Sequence, residues 1–341
     1  MPRSPADPTS AAETEPRSAE RAAEPKRQVL NAGVVAFNEE RHVESALRSL
    51  LRQPLPEGFR WGTIWVVASG CSDRTVSIVQ SVAATEPRVV LVEERVRRGK
   101  AQALAEVFRR AEGGFLVLLN ADALAHDGAL GALLDAAVGS TIPAAVMARP
   151  VVPERSARGA FGGAIELLWA LHHELHVEMI DRGEGTHLSD ELLLLRLRRM
   201  PEIPSGVIND GSFLGAWLTR ERGTLRYAPN AQVSIQVPRS MREHLVQRRR
   251  ILAGHAQVEA SLGISPTTFP SYFRAHPSSA TQLLRRTLKG RPNGSRDLLL
   301  LTVAELAAVA LSLWARIPPR RNFVLWERVG LPTLSPRRTE A

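Results

Sequence analysis

The chain has 341 residues and a single cysteine, Cys71. One cysteine cannot form an intramolecular disulfide or a multi-cysteine zinc site, and this composition fits a reducing cytoplasm. Aromatic residues make up only 5% of the chain, and no basic stretch is interleaved with aromatic rings. Proteins that bind single-stranded nucleic acid use such rings for stacking, so we expect no nucleic-acid partner.

The glycine patterns of two common nucleotide-binding folds are also missing. The first predicted strand is followed by Ala-Phe-Asn-Glu-Glu at residues 36–40, which contains no G-x-G-x-x-G. Gly99 and Lys100 lack the earlier glycine of a phosphate-binding loop, because that position is Glu94. A dinucleotide-dependent oxidoreductase and a P-loop enzyme are therefore disfavoured.

Long apolar runs are scarce. Residues 1–27 are rich in Pro, Ala, Glu, Ser and Arg, so we expect a disordered tail and no signal peptide. Residues 298–315 are nearly all apolar, but this length is at the short limit for crossing a bilayer and Glu305 lies near its centre. We interpret this segment as a buried or membrane-surface helix in preference to a span.

The residues that are abundant favour a folded protein with an anionic partner. Hydrophobic residues make up 44% of the chain, and 341 residues are enough for one large domain or two ordinary ones. The formal net charge is +9. An excess of arginine suits nucleic acid, nucleotide phosphates and anionic lipid headgroups equally well.

The apolar pattern alternates between strands and helices. Strands are predicted at residues 29–37, 63–68, 88–93, 115–120 and 144–151, and helices at 39–51, 73–83, 100–111 and 128–137. Ser72 is a candidate cap for the second helix. Such alternation predicts an α/β fold with a mostly parallel sheet flanked by helices.

The pattern after this region is more helical. Helices are predicted at residues 160–180, 211–220 and 240–254, with two short strands at 224–228 and 232–237. We expect the remaining C-terminal region, residues 256–341, to be helical and to include the apolar helix 298–315.

The fourth strand ends in Asn120-Ala121-Asp122. A strand that ends in an amide and a carboxylate places two oxygen ligands at the rim of a sheet, where open α/β sheets bind ligands. Mg²⁺ and Mn²⁺ prefer such hard oxygen ligands. Turns also favour Asp and Asn, so the tripeptide alone leaves both interpretations open.

Four turns after strands together resemble the nucleotide-sugar half of the family-two glycosyltransferases with the GT-A fold. They are Asn-Glu at residues 38–39, Gly-Cys-Ser-Asp-Arg-Thr at 70–75, Gly-Lys at 99–100 and Asn-Ala-Asp at 120–122. The second half resembles this family as well, with Val-Ile-Asn-Asp-Gly at 207–211, Arg-Tyr-Ala-Pro-Asn-Ala at 226–231 and Gln-Arg-Arg-Arg-Ile at 247–251. The resemblance runs from about residue 29 to residue 255, in the family's order.

This resemblance implies a GT-A domain over residues 28–255, with a nucleotide-sugar half at 28–150 and an acceptor half at 151–255. The implied activity is inverting transfer of a sugar from a nucleotide-diphosphate donor to an acceptor hydroxyl. The acceptor would be a lipid, a polysaccharide or a soluble molecule. We expect a cytoplasmic protein that lies against the inner face of the membrane through its basic, apolar C-terminal region.

The resemblance also assigns site residues. Asp210 is the expected catalytic base, and Asp122 is the expected ligand of Mg²⁺ or Mn²⁺. Lys100 and the arginines at 248–250 are candidates for diphosphate contacts, with Arg250 and Gln247 at the fixed positions of the motif. The residues expected to bind the nucleotide-sugar are Ala36, Phe37, Asn38, Glu39, Ser69, Asp73, Lys100, Asn120, Ala121, Asp122, Gln247 and Arg250.

Three positions depart from the family pattern. Asn120 replaces the first Asp of the metal motif, Ala68 replaces an acidic residue often found at the end of strand two, and Ile251 replaces a Trp. Nucleotide choice, metal affinity and processivity are left open by these changes. A nucleotidyltransferase is one alternative, although residues 36–40 lack the glycine-rich signature that it would need. A catalytically degenerate GT-A protein acting as a scaffold or sugar sensor is the other.

Two further features receive no catalytic role. His172 and His176 stand one helical turn apart, a spacing that can ligate zinc, but Glu174 is not where a His-Glu-x-x-His protease needs it. We expect these histidines to pack beneath the acceptor side. Cys71 lies in a turn near the nucleotide site and has no matched general base.

Overall fold

The computed structural model describes residues 27–111, 114–140, 142–153, 159 and 161–314. The predicted N-terminal tail lies outside the described residues, except for residue 27. Residues 315–341, which include the last residue of the predicted apolar helix, also lie outside them.

The described residues form one sheet of eight strands. In chain order the strands are β1 (Gln28–Ala36), β2 (Phe59–Ser69), β3 (Val89–Glu94), β4 (Gly114–Asn120), β5 (Leu124–Ala125), β6 (Ala144–Val151), β7 (Leu192–Leu197) and β8 (Thr224–Ser234).

Helices connect and cover these strands. In chain order they are α1 (Val43–Leu51), α2 (Thr75–Thr85), α3 (Lys100–Ala111), α4 (Ala129–Ala137), α5 (Gly162–Asp181), α6 (Asp210–Arg220), α7 (Met241–Leu262), α8 (Phe269–Ala275), α9 (Pro277–Leu288) and α10 (Gly294–Trp314).

The strand order is β3-β2-β1-β4-β7-β6-β8-β5. The first four strands of this order are parallel to one another, as expected for β-α alternation. Strand β7 runs antiparallel to both β4 and β6, whereas β8 runs parallel to β6. The α/β fold with flanking helices is confirmed, and its sheet is mixed.

The sequence prediction missed β7 and the two-residue strand β5. Residues 192–197 read Leu-Leu-Leu-Leu-Arg-Leu, and all but the arginine are buried. A strand buried on both faces lacks the alternation that identifies a half-exposed strand. Strand β5, which pairs antiparallel with β8, has only two residues and is too short to show a periodic pattern.

Three other local predictions were wrong. The two strands predicted at 224–228 and 232–237 form one continuous strand, β8, whose pairing register shifts opposite Ala148 and Arg149. Helix α7 continues to Leu262, two turns beyond its predicted end. Ser72 does not cap α2, because the residue before that helix is Arg74, which makes no side-chain cap bond.

The sheet separates two apolar cores. On one face, α1, α2, α4 and α5 bury residues such as Leu47 and Ile165 against the sheet. On the other face, α3 and α6 bury residues such as Val107 and Leu214. Helices on both faces leave the carboxyl ends of the parallel strands open, and these ends form the rim where a ligand can bind.

Helix α10 packs against α5 and α7 through Leu301, Ala304 and Ala308. Its other side is exposed and apolar, with Leu306 at 65% exposure. The remaining large exposed apolar residues of this helix are Leu299, Val303, Val309, Leu311 and Leu313. Among the described residues, no helix combines the length and apolar character needed to cross a bilayer.

Candidate active site

A cavity of about 190 Å³ opens at the carboxyl ends of β1, β2 and β4. Ala36, Ser69 and Asn120, the last residues of these strands, all contribute to its wall. The parallel arrangement of the three strands brings turns that are far apart in sequence to one edge of the sheet.

Most of the predicted donor-binding residues line this cavity. They are Ala36, Phe37, Glu39, Ser69, Lys100, Asn120, Ala121, Asp122 and Gln247. The other predicted site residues, Asn38, Asp73, Asp210 and Arg250, are not part of its wall. The prediction missed several lining residues, notably Arg97, Trp169, Glu191 and Arg239.

Asn38 and Asp73 join the turns after β1 and β2. The side-chain oxygen of Asn38 accepts a hydrogen bond from the backbone N–H of Ser72 at 2.8 Å, and Asn38 itself has a left-handed φ of 54°. A carboxylate oxygen of Asp73 accepts from the backbone N–H of Glu40 at 3.1 Å. Both residues therefore tie the turn after β1, which carries Phe37 and Glu39, to the turn after β2.

Arg97 and Phe37 form a flat wall in the cavity. The guanidinium carbon of Arg97 lies 3.6 Å from the centroid of the Phe37 ring. Gly70 makes this approach possible, since a Cβ at Gly70 would lie 2.6 Å from the backbone nitrogen of Arg97. Stacked cationic and aromatic groups of this kind attract one another and offer a planar surface.

Asp122 is a partly buried carboxylate in the turn after β4. Burial is the main reason why its pKa is raised, to about 6, and the nearby negative charge of Glu39 raises it further. Lys100 and His42 act in the opposite direction. A bound cation would favour the ionised form of this carboxylate, so the environment of Asp122 is compatible with a metal ligand.

Lys100 joins two carboxylates. Its Nζ atom lies 2.5 Å from Oδ2 of Asp190 and 3.1 Å from Oδ2 of Asp210. Burial alone would lower the pKa of Lys100, but the two carboxylates outweigh burial and raise it. Lys100 therefore remains charged, and it reaches the cavity wall from the first residue of α3.

Asp210 begins α6 and is only 4% exposed. Asn209 caps this helix by accepting a hydrogen bond from the backbone N–H of Ser212 at 3.0 Å, so Asp210 is not needed as the cap. Burial raises the pKa of Asp210 to about 6, and the neighbouring Asp190 adds to the increase. A buried carboxylate with this pKa is suited to accept a proton near neutral pH.

Close packing places Asp190 beside Asp210. Residues 186–190 run along α6 next to Gly211 and Gly215, which are one helical turn apart. A Cβ at Gly215 would lie 2.3 Å from the carbonyl oxygen of Thr186, and one at Gly211 would lie 2.8 Å from that of Leu188. Only glycine at these two positions allows so close an approach.

Glu191 is a carboxylate of the cavity wall that the sequence did not indicate. Its backbone carbonyl accepts a hydrogen bond from the N–H of Asn120 at 3.0 Å, which fixes it beside the fourth-strand turn. Burial, followed by the charge of Asp190, raises the pKa of Glu191 to about 7. Glu191 precedes β7, so the failure to predict that strand also concealed this residue.

Helix α7 carries the last of the predicted site residues. Gln247 reaches the cavity wall, whereas Arg250 donates a hydrogen bond to the carbonyl oxygen of Ile208 at 2.6 Å. Arg250 thereby holds the chain just before Asp210. Arg248, another candidate for the diphosphate, instead forms an ion pair with Glu305 on α10.

Four histidines from α5, α7 and the segment before β7 form a cluster of ring contacts. The rings of His172 and His176 are 4.1 Å apart between centroids, and those of His187 and His255 are 5.4 Å apart. Within the described ranges, no group of three or more His, Cys, Asp or Glu side chains has the geometry to hold a metal ion. A metal ion bound by Asp122 would therefore complete its coordination with oxygen atoms of a ligand and of water.

Comparison with known proteins identifies the domain that surrounds this cavity. Residues 32–170 match the family model described as Glycosyl transferase family 2. Over this range the chain is similar to family-two glycosyltransferases. No curated protein sequence matches the chain. The matched range contains the turns after β1, β2, β3 and β4, which supply most of the cavity wall.

One solved glycosyltransferase structure shares the fold, and two other solved structures show a weaker similarity. The mannosyltransferase PcManGT from Pyrobaculum calidifontis, in complex with GDP-Man and Mn²⁺, is 21% identical with a TM-score of 0.63, over 85% of this chain and 88% of that chain. TarS from S. aureus is 13% identical with a TM-score of 0.44, over 83% of this chain and 81% of that chain. Glucosyl-3-phosphoglycerate synthase from Mycobacterium tuberculosis is 16% identical with a TM-score of 0.45, over 70% of this chain and 81% of that chain.

Proposed function

We propose that this glycosyltransferase moves a sugar from a nucleotide-diphosphate donor to an acceptor hydroxyl, with inversion at the anomeric carbon. The observation that carries this proposal is the cavity at the rim of the sheet. It combines a flat wall at Phe37 and Arg97, a cation at Lys100 and a partly buried carboxylate at Asp122. These groups suit a nucleoside, a diphosphate and a divalent cation respectively.

The donor diphosphate is proposed to bind near Lys100 and Gln247, at the point where α3 begins. A helix N-terminus and an ammonium group both attract phosphate oxygens. Asp122 is proposed to hold Mg²⁺ or Mn²⁺. When bound, that ion would neutralise the negative charge that develops on the leaving diphosphate. Mn²⁺ and a nucleotide-sugar are present in the PcManGT complex, which supports this choice.

Asp210 is proposed to take the proton of the attacking hydroxyl. As the acceptor oxygen bonds to the anomeric carbon, the bond from that carbon to the diphosphate oxygen breaks, and the hydroxyl proton moves to a carboxylate oxygen of Asp210. Attack from the face opposite the diphosphate inverts the anomeric centre. A positioned base of this kind contributes typically about 10²–10⁴-fold to the rate.

Hydrolysis of the donor tests this proposal without knowledge of the acceptor, because water can replace the hydroxyl. GDP-mannose, UDP-glucose and UDP-GlcNAc would each be incubated with the protein and Mn²⁺, and nucleotide release and sugar configuration would be followed by proton NMR. We expect hydrolysis of one donor with inversion. Asp210→Asn should lower the rate by about 100-fold or more, while nucleotide affinity stays close to the wild-type value. An unchanged rate in Asp210→Asn, or retention of configuration, would reject this mechanism.

The acceptor side is proposed to face a membrane. The exposed residues of α10 include Leu299, Val303, Leu306 and Leu313, while the charged Glu305 points towards α7. An apolar helix face on a chain of net charge +9 fits binding to an anionic lipid surface. We propose a cytoplasmic enzyme at the inner face of the membrane, acting on a lipid-linked or saccharide acceptor.

Sedimentation with lipid vesicles tests the membrane proposal. We expect the full chain to pellet with vesicles that contain phosphatidylglycerol, and to pellet less with phosphatidylcholine alone. Leu306→Glu should abolish this binding, because it places a charge at the centre of the apolar face. Val138→Glu is the matched control, since Val138 is 71% exposed and follows the distant helix α4. Equal vesicle binding by the two variants would contradict the proposal.

A further inference from the structure

Two carboxylates share the ammonium group of Lys100, and only one of them, Asp210, was expected at the site. Asp190 lies closer to Lys100 than Asp210 does, at 2.5 Å against 3.1 Å. The segment before β7 delivers Asp190 to this position by packing directly on Gly211 and Gly215 of α6. The contact between Asp190 and Lys100 therefore joins the segment before β7 to α3, and it depends on the two glycines of α6.

We propose that Asp190 is a positioning residue for the transfer reaction, which holds Lys100 in place and whose negative charge makes Asp210 a stronger proton acceptor. This inference rests on the role of Asp210 proposed above. Asp190 acts on the reaction through its ion pair with Lys100 and through the effect of its charge on Asp210.

The charges around Asp190 and Asp210 support a positioning role for Asp190 and a proton-accepting role for Asp210. Burial alone would raise the pKa of Asp190, but Lys100, together with a hydrogen bond to Asp210 and the nearby His187, outweighs burial and lowers it. Asp190 therefore stays ionised across the physiological range. For Asp210, burial and the charge of Asp190 outweigh the attraction of Lys100, so its pKa is raised. Two neighbouring carboxylates with separated pKa values are typical of acid-base sites.

The other titratable groups that act on Asp190 and Asp210 come from α7 and from the segment before β7. Arg250 on α7 lowers the pKa of Asp210, and His187 lowers that of Asp190. Glu191 follows Asp190 in the chain, and the charge of Asp190 raises its pKa. Arg250 and His187 stay in place in the variants below, so each comparison isolates the effect of Asp190 or Lys100.

Carbon-13 NMR of protein labelled at the aspartate carboxyl groups tests the inference directly. The signal of Asp210 is identified by its absence in Asp210→Asn. In wild type we expect it to titrate near pH 6. Asp190→Asn should lower the titration midpoint by about one pH unit, because it removes a like charge. Lys100→Met should raise the midpoint, because it removes the shared cation. A midpoint that Asp190→Asn leaves unchanged or raises would overturn the inference.

Two further variants and a control distinguish the loss of the Asp190 charge from a loss of folding. Asp190→Glu keeps the charge and should preserve a midpoint close to that of wild type. Asp190→Ser is a second variant without the charge, and it should lower the midpoint as Asp190→Asn does. Asp297→Asn is the matched control, because Asp297 is another buried aspartate in an ion pair, with Arg296 at the start of α10. A shift of the Asp210 midpoint in Asp297→Asn would show that the effect is nonspecific.

The pH dependence of donor hydrolysis links this titration to the reaction. Asp190→Asn should move the acidic limb of kcat/KM to lower pH by the same amount as the NMR midpoint. A purely structural role would lower the rate at every pH without moving the limb, and this result would overturn the inference. If no donor is hydrolysed, the proposed function fails, whereas the NMR titration still reports on the coupling between Asp190 and Asp210.

Discussion

Arg248 and Glu305 tie the C-terminal helix to the helix that carries Gln247 and Arg250. Arg248 on α7 donates two hydrogen bonds to Oε2 of Glu305 on α10, at 2.9 Å from Nε and 2.6 Å from Nη2. The other carboxylate oxygen, Oε1, lies 3.1 Å from Nε2 of the fully buried His244. Burial alone would raise the pKa of Glu305, but the bonds from His244 and Arg248 outweigh it and lower the pKa. Glu305 is therefore an ionised link between the two helices.

We predict that Glu305→Ala destabilises the protein by about 2 kcal/mol, because it leaves His244 and Arg248 without their shared acceptor. The midpoint of urea unfolding measures this loss. Glu44→Ala is the control, since Glu44 forms an exposed pair with Arg48 on α1 and should contribute less than about 1 kcal/mol. Equal effects of the two substitutions would show that the Glu305 contacts add little.

The cluster formed by His172, His176, His187 and His255 predicts that the stability of the protein falls in acid. Burial is the main cause of the lowered pKa of His176 and of His255, each to about 4, and it lowers the pKa of His172 and His187 as well. The unfolded chain takes up protons on these residues below about pH 6.5, whereas the folded chain does not. Each histidine should therefore reduce stability as the pH falls from about 6.5 to 4.

A single substitution isolates this effect. His187→Asn should reduce the dependence of the unfolding free energy on pH by about 1.4 kcal/mol per pH unit below pH 6.5, which corresponds to one proton. Comparison with wild type is needed because Asp122, Asp210 and Glu191 have raised pKa values and act in the opposite direction. Urea unfolding between pH 7.5 and pH 5 measures the difference. The same slope in both proteins would contradict the prediction.

The close packing of residues 186–190 on α6 predicts that glycine is required at position 215. Gly215→Ala should destabilise the protein by about 2 kcal/mol, because the new Cβ would overlap the backbone of Thr186 and displace the segment that carries Asp190. Gly131→Ala is a matched control on α4, where a Cβ would meet nothing within 4 Å. That variant should be more stable than wild type by about 1 kcal/mol. A neutral Gly215→Ala would contradict the tight packing.

The sequence was sufficient to predict most of the fold of residues 28–150. Strands β1 to β4 and helix α3 have a clear apolar pattern, and the turns that follow the strands carry recognisable motifs. The cavity therefore contains most of the residues that these motifs indicated, including Lys100 and Asp122. Short-range patterns are reliable here because each β-α unit folds from contiguous residues.

The fold of residues 151–255 could not be predicted as well. Strand β7 is buried on both faces and so lacks alternation, and the two carboxylates before it, Asp190 and Glu191, carry no motif of their own. Their position depends on contacts with α3, α6 and β4, which are distant in the sequence. Gly211 and Gly215 were the available signal, since two glycines one helical turn apart indicate that another part of the backbone lies close to that helix face.

Isothermal titration calorimetry of nucleotide binding tests the central claim most directly. UDP, GDP, dTDP and CDP would each be titrated into the wild-type protein and into Asp122→Ala, with and without Mn²⁺. We predict that one nucleotide binds wild type more tightly with Mn²⁺ than without it, and that Asp122→Ala loses this difference. A wild-type protein that binds none of the four nucleotides would contradict a nucleotide-sugar transferase and favour a degenerate scaffold. A metal response that persists in Asp122→Ala would reject Asp122 as the metal ligand.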